Sequence, residues 1–305
     1  MAQVEIDGIL IGETETKNIM TKSSLPVGGY SVNPYVGCTH ACKYCYASFM
    51  KRFTGHTEEW GTFLDVKHWP EIKNPKKYAG QRVVIGSVTD GYNPQEERFG
   101  NTRKLLEQLR GSGADILICT KSDLVVRDIE LLKELGQVTV SWSINTLDED
   151  FKNDMDCAVS IKRRLAAMKL VYDAGIRTVC FVSPVFPGIT DFEAIFRQVK
   201  DQCDLFWLEN LNLRGGFKKT IMDYIAEKHP DLKPLYDDIY DKHDRSYFLA
   251  LEKKAEEMAK RYDCPFVDNE MPYGRVPQGH PVIVDYFYHE EIRGSDNTGK
   301  RNKIK

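Results

Sequence analysis

Val36-Gly37-Cys38-Thr39-His40-Ala41-Cys42-Lys43-Tyr44-Cys45-Tyr46 carries three cysteines in the spacing CxxxCxxC, directly after a β-branched run, Tyr30 to Val36, that predicts a strand. Three soft thiolates on one loop suit an iron–sulfur cubane: they hold three of its irons, and the fourth keeps an open coordination position. A structural zinc site instead normally closes with four ligands, often in two pairs. Within the loop only His40 is a candidate fourth ligand, and it lies inside the first spacer, poorly placed to complete a tetrahedron with its neighbours. Cys119, Cys157, Cys180, Cys203 and Cys264 are scattered singly and repeat no cluster spacing, so no auxiliary cluster is expected.

Downstream, short β-branched runs alternate with helix-like segments, the pattern of repeated βα units on a parallel sheet. After Tyr30 to Val36 the expected strands are Arg82 to Gly86, Asp115 to Cys119, Val138 to Ser143, Arg177 to Val182 and Leu205 to Leu208. Leu105, Leu106 and Leu109 recur at helical spacing between two of them, as do Leu165, Met168, Val171 and Tyr172 between two others, each set followed by glycine. Six such units predict an α/β fold, a partial (β/α)6 barrel, although strand patterns alone do not reveal closure and a flat doubly wound sheet has the same signature. From Gly215 the pattern turns helical, and the stretch after Pro265 mixes Pro, Gly and aromatics before a polar tail. The expected organisation is an N-terminal extension (1–29), the barrel (30–214) and a C-terminal helical and loop extension (215–305).

The bulk composition narrows the function classes. Of 305 residues, 42 are Lys or Arg and 45 Asp or Glu, a formal charge of -3, which disfavours long duplex DNA as a partner. The amino end, MAQVEIDGILIGETETK, is too charged for a signal peptide, and no run reaches the roughly 18 apolar residues of a membrane helix. A cytoplasmic protein with reduced thiols is the expectation, with no membrane partner.

The cysteine spacing, its place after the first strand, and Tyr44 just before the last cysteine resemble the radical SAM enzymes. That resemblance implies a [4Fe-4S] cluster on Cys38, Cys42 and Cys45 whose open iron binds S-adenosylmethionine. It also implies reductive cleavage to methionine and a 5′-deoxyadenosyl radical that abstracts hydrogen from a substrate, fed by an electron donor such as flavodoxin or ferredoxin. Further stretches resemble the spore photoproduct lyase-like branch, up to about Arg214. Gly86-Ser87-Val88-Thr89-Asp90-Gly91-Tyr92-Asn93-Pro94-Gln95-Glu96 looks like that branch's second strand end, where Thr89 and Asp90 could receive the amino group of the cofactor or simply form a turn. In similar enzymes a lysine at the position of Lys121 contacts the cofactor carboxylate, a sound pairing of charges. Alternation places Ser141, Ser143 and Asn145 on one strand face and Val140, Trp142 and Ile144 on the other. Ser143 would bind cofactor polar groups; Asn145 would reach the ribose or serve structural hydrogen bonds. Arg164 meets the carboxylate or lies on a helix surface.

Substrate-side candidates are Glu209, Asn210 and Asn212, the loop Phe186 to Asp191, and, from the C-terminal segment, His280, Tyr286, Tyr288 and His289; capping and ordinary surface roles compete for all of them. Spore photoproduct lyase itself returns hydrogen from a cysteine just past its second strand, and residues 86–90 contain none. Cys157 is a candidate donor or an incidental thiol. A nucleotide, a nucleic-acid lesion, a peptide or a small metabolite all remain open as substrate, and neither lyase nor transferase is decided. The rivals are photoproduct lyase-type repair and a non-catalytic zinc- or cluster-binding interaction module.

Overall fold

Asn33-Pro34 divides the first expected strand. Proline has no N–H to give a ladder, and the Asn33 amide turns aside to the hydroxyls of Ser31 (3.3 Å) and Ser87 (3.1 Å) while its oxygen accepts from Val88 N–H (3.1 Å). In the computed structural model, which describes residues 4–23, 29–268 and 274–286, Tyr30–Val32 therefore stays in a large sheet and Tyr35–Val36 leaves for a small one. The small sheet has the order Val4–Ile6, Ile9–Glu15, Phe63–His68, Tyr35–Val36.

Eight parallel strands make up most of the large sheet: β1 (Tyr30–Val32), β2 (Arg82–Ile85), β3 (Asp115–Thr120), β4 (Val138–Ser143), β5 (Arg177–Val185), β6 (Leu205–Asn210), β7 (Phe266–Asp268) and β8 (Val282–Asp285). They lie in the order β1-β2-β3-β4-β5-β6-β8-β7, with Thr21–Lys22 antiparallel outside β1. The six expected strands are β1 to β6, each paired with the next, as a partial barrel requires. The C-terminal segment is more than helix and loop: it adds β7 and β8 to the same sheet.

Alternation along the strands separates two faces. Outward, Ile85, Ile118, Val140, Trp142, Val182 and Phe206 pack against Leu105 and Leu106, Leu131 and Leu132, Met168 and Val171, Ile195 and Phe196, and Met258, all buried and drawn from successive helices. Full burial of each such side chain contributes about 1.5–3 kcal/mol. Inward lies a smaller apolar set, Val84, Leu117, Val179, Leu205, Trp207 and Val284, with Cys119, Phe181 and Tyr286 against it. Ser141 (1% exposed) continues this inner face. Because the strands are parallel, their C-terminal ends share one rim, and the loops there, together with the cysteine loop, meet the inner face. No described helix is long and apolar enough to cross a membrane.

Candidate active site

The cysteine loop is fixed by its backbone. Gly37 sits at φ +85, where a Cβ would lie 2.4 Å from the Phe63 carbonyl oxygen, so only glycine allows the chain to turn there. The Thr89 hydroxyl donates to the Gly37 carbonyl. Lys43 N–H donates to Met155 O (2.9 Å) and Cys157 N–H to His40 O (2.7 Å), which ties the loop to the segment after β4. His40 Nε2 meets Asp90 Oδ2 at 2.8 Å, both side chains buried.

Asp90 is saturated by the chain. Besides His40 it accepts from the Thr120 hydroxyl (2.9 Å), Lys121 N–H (2.7 Å) and Tyr92 N–H (2.8 Å), about the four bonds a carboxylate can take. Burial disfavours its charge, yet the His40 ring and the amide donors hold the carboxyl below its ordinary range. Thr89 and Asp90 thus bond within the chain and join the ends of β2 and β3 to the cysteine loop. Gly86 makes the junction possible, since at φ +92 a Cβ would stand 2.5 Å from the Cys119 carbonyl oxygen.

The three thiols form one electrostatic group. Burial, with Asp90 and Cys45 acting in the same sense, pushes Cys38 up to about 12. Burial raises Cys42 and Cys45 as well, while the Lys121 ammonium works the other way on both. Among the described residues no three or more His, Cys, Asp or Glu side chains gather as a site for a single ion. A cubane does not ask for that, because its cysteines sit on different irons. Three mutually coupled thiols with a cation close by are a donor set that fits an iron–sulfur cluster.

Lys121 supplies the cation. Burial opposes its charge, but negative charge on Cys42 and Asp156 outweighs this and raises its affinity for a proton. The Nζ stands 5.6 Å over the Tyr44 ring, and among the described residues it makes no hydrogen bond or ion pair of its own. Two buried polar groups, Ser141 Oγ in β4 and Asn145 Nδ2 just past it, have no partner. A ligand bearing a carboxylate and several hydroxyl or amine groups matches these vacant donors.

The match to known proteins decides the family. Residues 32–199, more than half of the chain, match the family model of the radical SAM superfamily. The chain belongs to the radical SAM superfamily. Family membership implies a [4Fe-4S] cluster and S-adenosylmethionine, and it makes this chain an enzyme, which sets aside the non-catalytic module. An uncharacterised protein of Methanocaldococcus jannaschii is 32% identical over 225 residues, covering 73% of this chain and 85% of its own. Another from Mycobacterium tuberculosis is 28% identical over 261 residues, 77% of this chain and 75% of its own. Among solved structures, spore photoproduct lyase complexed with dinucleoside spore photoproduct superposes with a TM-score of 0.62 at 16% identity, covering 91% of this chain and 82% of that one. At that identity the likeness speaks for the fold.

Within this radical SAM fold the remaining expected residues divide. Tyr44 is buried beside the thiols, its hydroxyl donating to Asp156 Oδ2 (3.3 Å) and its ring edge-to-face with Phe186 at 5.4 Å. Ser143 ends β4, where its carbonyl accepts from Arg164 (3.1 Å). Arg164 is not on a helix surface: it is fully buried and also bonds Asp156 Oδ1 (2.8 Å) and Val159 O (2.9 Å). Arg164 is a strut. Asp156, which sequence reasoning passed over, thereby links Arg164 to Tyr44, and only the fold brings these groups together.

On the substrate side, Glu209 accepts from the Ser183 hydroxyl, Asn212 from Arg214 Nε (3.0 Å), and Asp191 caps the helix Phe192–Val199 through Ala194 N–H (2.9 Å). Asn210, buried, closes β6. Tyr286 follows β8 and packs edge-to-face on Trp207 at 5.6 Å, whereas His280 precedes β8, at the opposite end from the rim. Tyr288 and His289 lie outside the described residues. Cys157 is exposed. Cys119, on the inner face opposite Ser141 in register, was missed because it read as one more strand residue; burial and then Asp90 push its thiol up to about 12.

Proposed function

We propose that this enzyme binds S-adenosylmethionine between its cysteine loop and the inner wall of the sheet and uses it to abstract a hydrogen atom from substrate. A reduced [4Fe-4S] cluster supplies the electron that splits the sulfonium to methionine and a 5′-deoxyadenosyl radical. Cys38, Cys42 and Cys45 would hold three irons, and Lys121 would take the cofactor carboxylate. Ser143 and Asn145, with Ser141, would meet its polar groups, and Tyr44 would pack at the edge of the site. Asp90, Thr89 and Arg164 act as positioning residues, through His40, Gly37 and Asp156 respectively. The single observation that carries the reading is the Lys121 side chain, its Nζ 5.6 Å over the Tyr44 ring in the cysteine loop and without an ion-pair partner among the described residues.

A reducing compartment, the cytoplasm, and a flavodoxin- or ferredoxin-type donor complete the proposal. Photoproduct repair is not adopted, since residues 86–90 hold no cysteine; release of repaired thymines from dinucleoside spore photoproduct would reverse that choice. The primary test is anaerobic. Wild type and Cys42→Ala are reconstituted with iron and sulfide, given dithionite and S-adenosylmethionine, and assayed for 5′-deoxyadenosine by chromatography. Product from wild type alone is expected, and zinc in place of iron in the native protein would defeat the proposal.

A further inference from the structure

A 3-10 helix, Tyr46–Phe53, begins at the residue after Cys45. Residues three apart eclipse one another in this helix type, so Tyr46, Phe49 and Arg52 form one row, with Phe53 beside it. Ala47 is the residue the helix buries. Tyr46 is 55%, Phe49 44% and Phe53 66% exposed. Single exposed apolar residues are ordinary, but three aromatics on one short helix make a patch. The Arg52 guanidinium lies over both phenyl rings, 5.4 Å from Phe49 and 4.6 Å from Phe53.

Along the sequence, the charge leading through this helix has one sign. Residues 16–57 contain no Asp or Glu, although such residues number 45 in the 305-residue chain, and the same stretch holds Lys17, Lys22, Lys43, Lys51 and Arg52. Lys43, exposed, sits between two of the cysteine-loop positions. The helix itself thus carries Lys51 and Arg52 with three exposed aromatics and no acidic residue, immediately after the last of the three thiols.

We infer that the exposed face of helix Tyr46–Phe53 is the docking site of the electron donor, a small acidic redox protein. The inference rests on the function proposed above, which requires an electron at the cysteine loop. Electron transfer weakens steeply with distance, and a donor seated on this helix is separated from Cys45 by a single turn of chain. Aromatic and arginine side chains are the types that dominate protein–protein binding energy, while surrounding lysines steer an acidic partner and speed encounter. A nucleic-acid strand fits less well. Two neighbouring cations, Lys51 and Arg52, on one short helix are enough to meet an acidic patch but make no extended track for a phosphate backbone to follow.

Binding is the direct test, because it is read without turnover. Oxidised flavodoxin and ferredoxin are titrated into the reconstituted protein, alongside Arg52→Glu and Phe53→Ser variants and a single-stranded oligothymidine. The expected result is that one of the redox proteins binds wild type, that raising salt weakens it, and that each variant binds about tenfold more weakly. Dithionite-driven 5′-deoxyadenosine formation by both variants should match wild type, which also confirms that they fold. No binding of either redox protein to wild type, or binding that both variants keep, overturns the inference. So does oligothymidine binding that alone is lost in the variants, which would make the helix a nucleic-acid platform. If a redox protein binds this face but wild type with dithionite makes no 5′-deoxyadenosine, the docking site stands and the proposed function falls.

Discussion

Lys121 presents an ammonium that no carboxylate of the described chain takes up, and that makes it the most informative single residue. A charge-assisted hydrogen bond contributes about 1.5–3 kcal/mol. Lys121→Met should therefore weaken S-adenosylmethionine binding by about ten- to a hundredfold while iron and sulfide content stay at wild-type levels. Calorimetric titration of the reconstituted variant checks this, and unchanged affinity would remove Lys121 from the site. Lys67 is the contrasting case. Burial alone lowers the affinity of its amine for a proton, and among the described residues it has no ion pair. A lysine whose folded pKa lies below its unfolded value weakens the fold at every pH below the folded pKa, and the penalty disappears as pH rises past the unfolded value of about 10.4. Lys67→Met should melt at a higher temperature than wild type at neutral pH, and the gap should close in alkaline buffer; a gap independent of pH would point to packing instead. The two lysines also mark how far a site can be read from sequence. Lys121 drew attention because the family resemblance puts a lysine just past the third strand, Asp115–Thr120. Asp156 was not, because its meaning comes from Tyr44, 112 positions away along the chain, and from Arg164, whose burial no helical pattern announces.

Strands β1 to β6 were legible because each is a β-branched run ahead of an amphipathic helix, and the alternation in β4 correctly sent Val140 and Trp142 to the helix-packed side. Strands β7 and β8 were not, for a physical reason. They span three and four residues and sit among Pro and Gly, so neither shows a period, and their identity comes from pairing with β6 and with each other. Likewise, Pro34 cut the first expected strand into pieces belonging to different sheets. If β8 is integral, Ile283, fully buried on the helix side, should behave like Ile118 in the central β3. Ile283→Ala and Ile118→Ala are both expected to lose about 2–5 kcal/mol in urea unfolding of the full chain. A near-neutral Ile283→Ala would instead mark the C-terminal strands as an appendage.

At the scale of the whole molecule, net charge and local charge point to different partners. With a formal charge of -3, the protein should show no affinity for random-sequence duplex DNA tighter than about 10⁻⁴ M at physiological salt. Fluorescence anisotropy with a labelled duplex is the check, and binding in the micromolar range would reopen long nucleic acid as a substrate. The large sheet is open, and an open sheet has two rims of unpaired N–H and C=O groups on which a foreign strand can grow. Among the described residues the outermost strands are Thr21–Lys22, two residues that end in a lysine, and Phe266–Asp268, three residues that end in an aspartate. Neither offers the length or the flat apolar surface that edge-to-edge association exploits. A sheet whose long central strands are bounded, among the described residues, by two such short margins offers little template for a foreign strand, even at the high concentrations that spectroscopy of an iron centre demands.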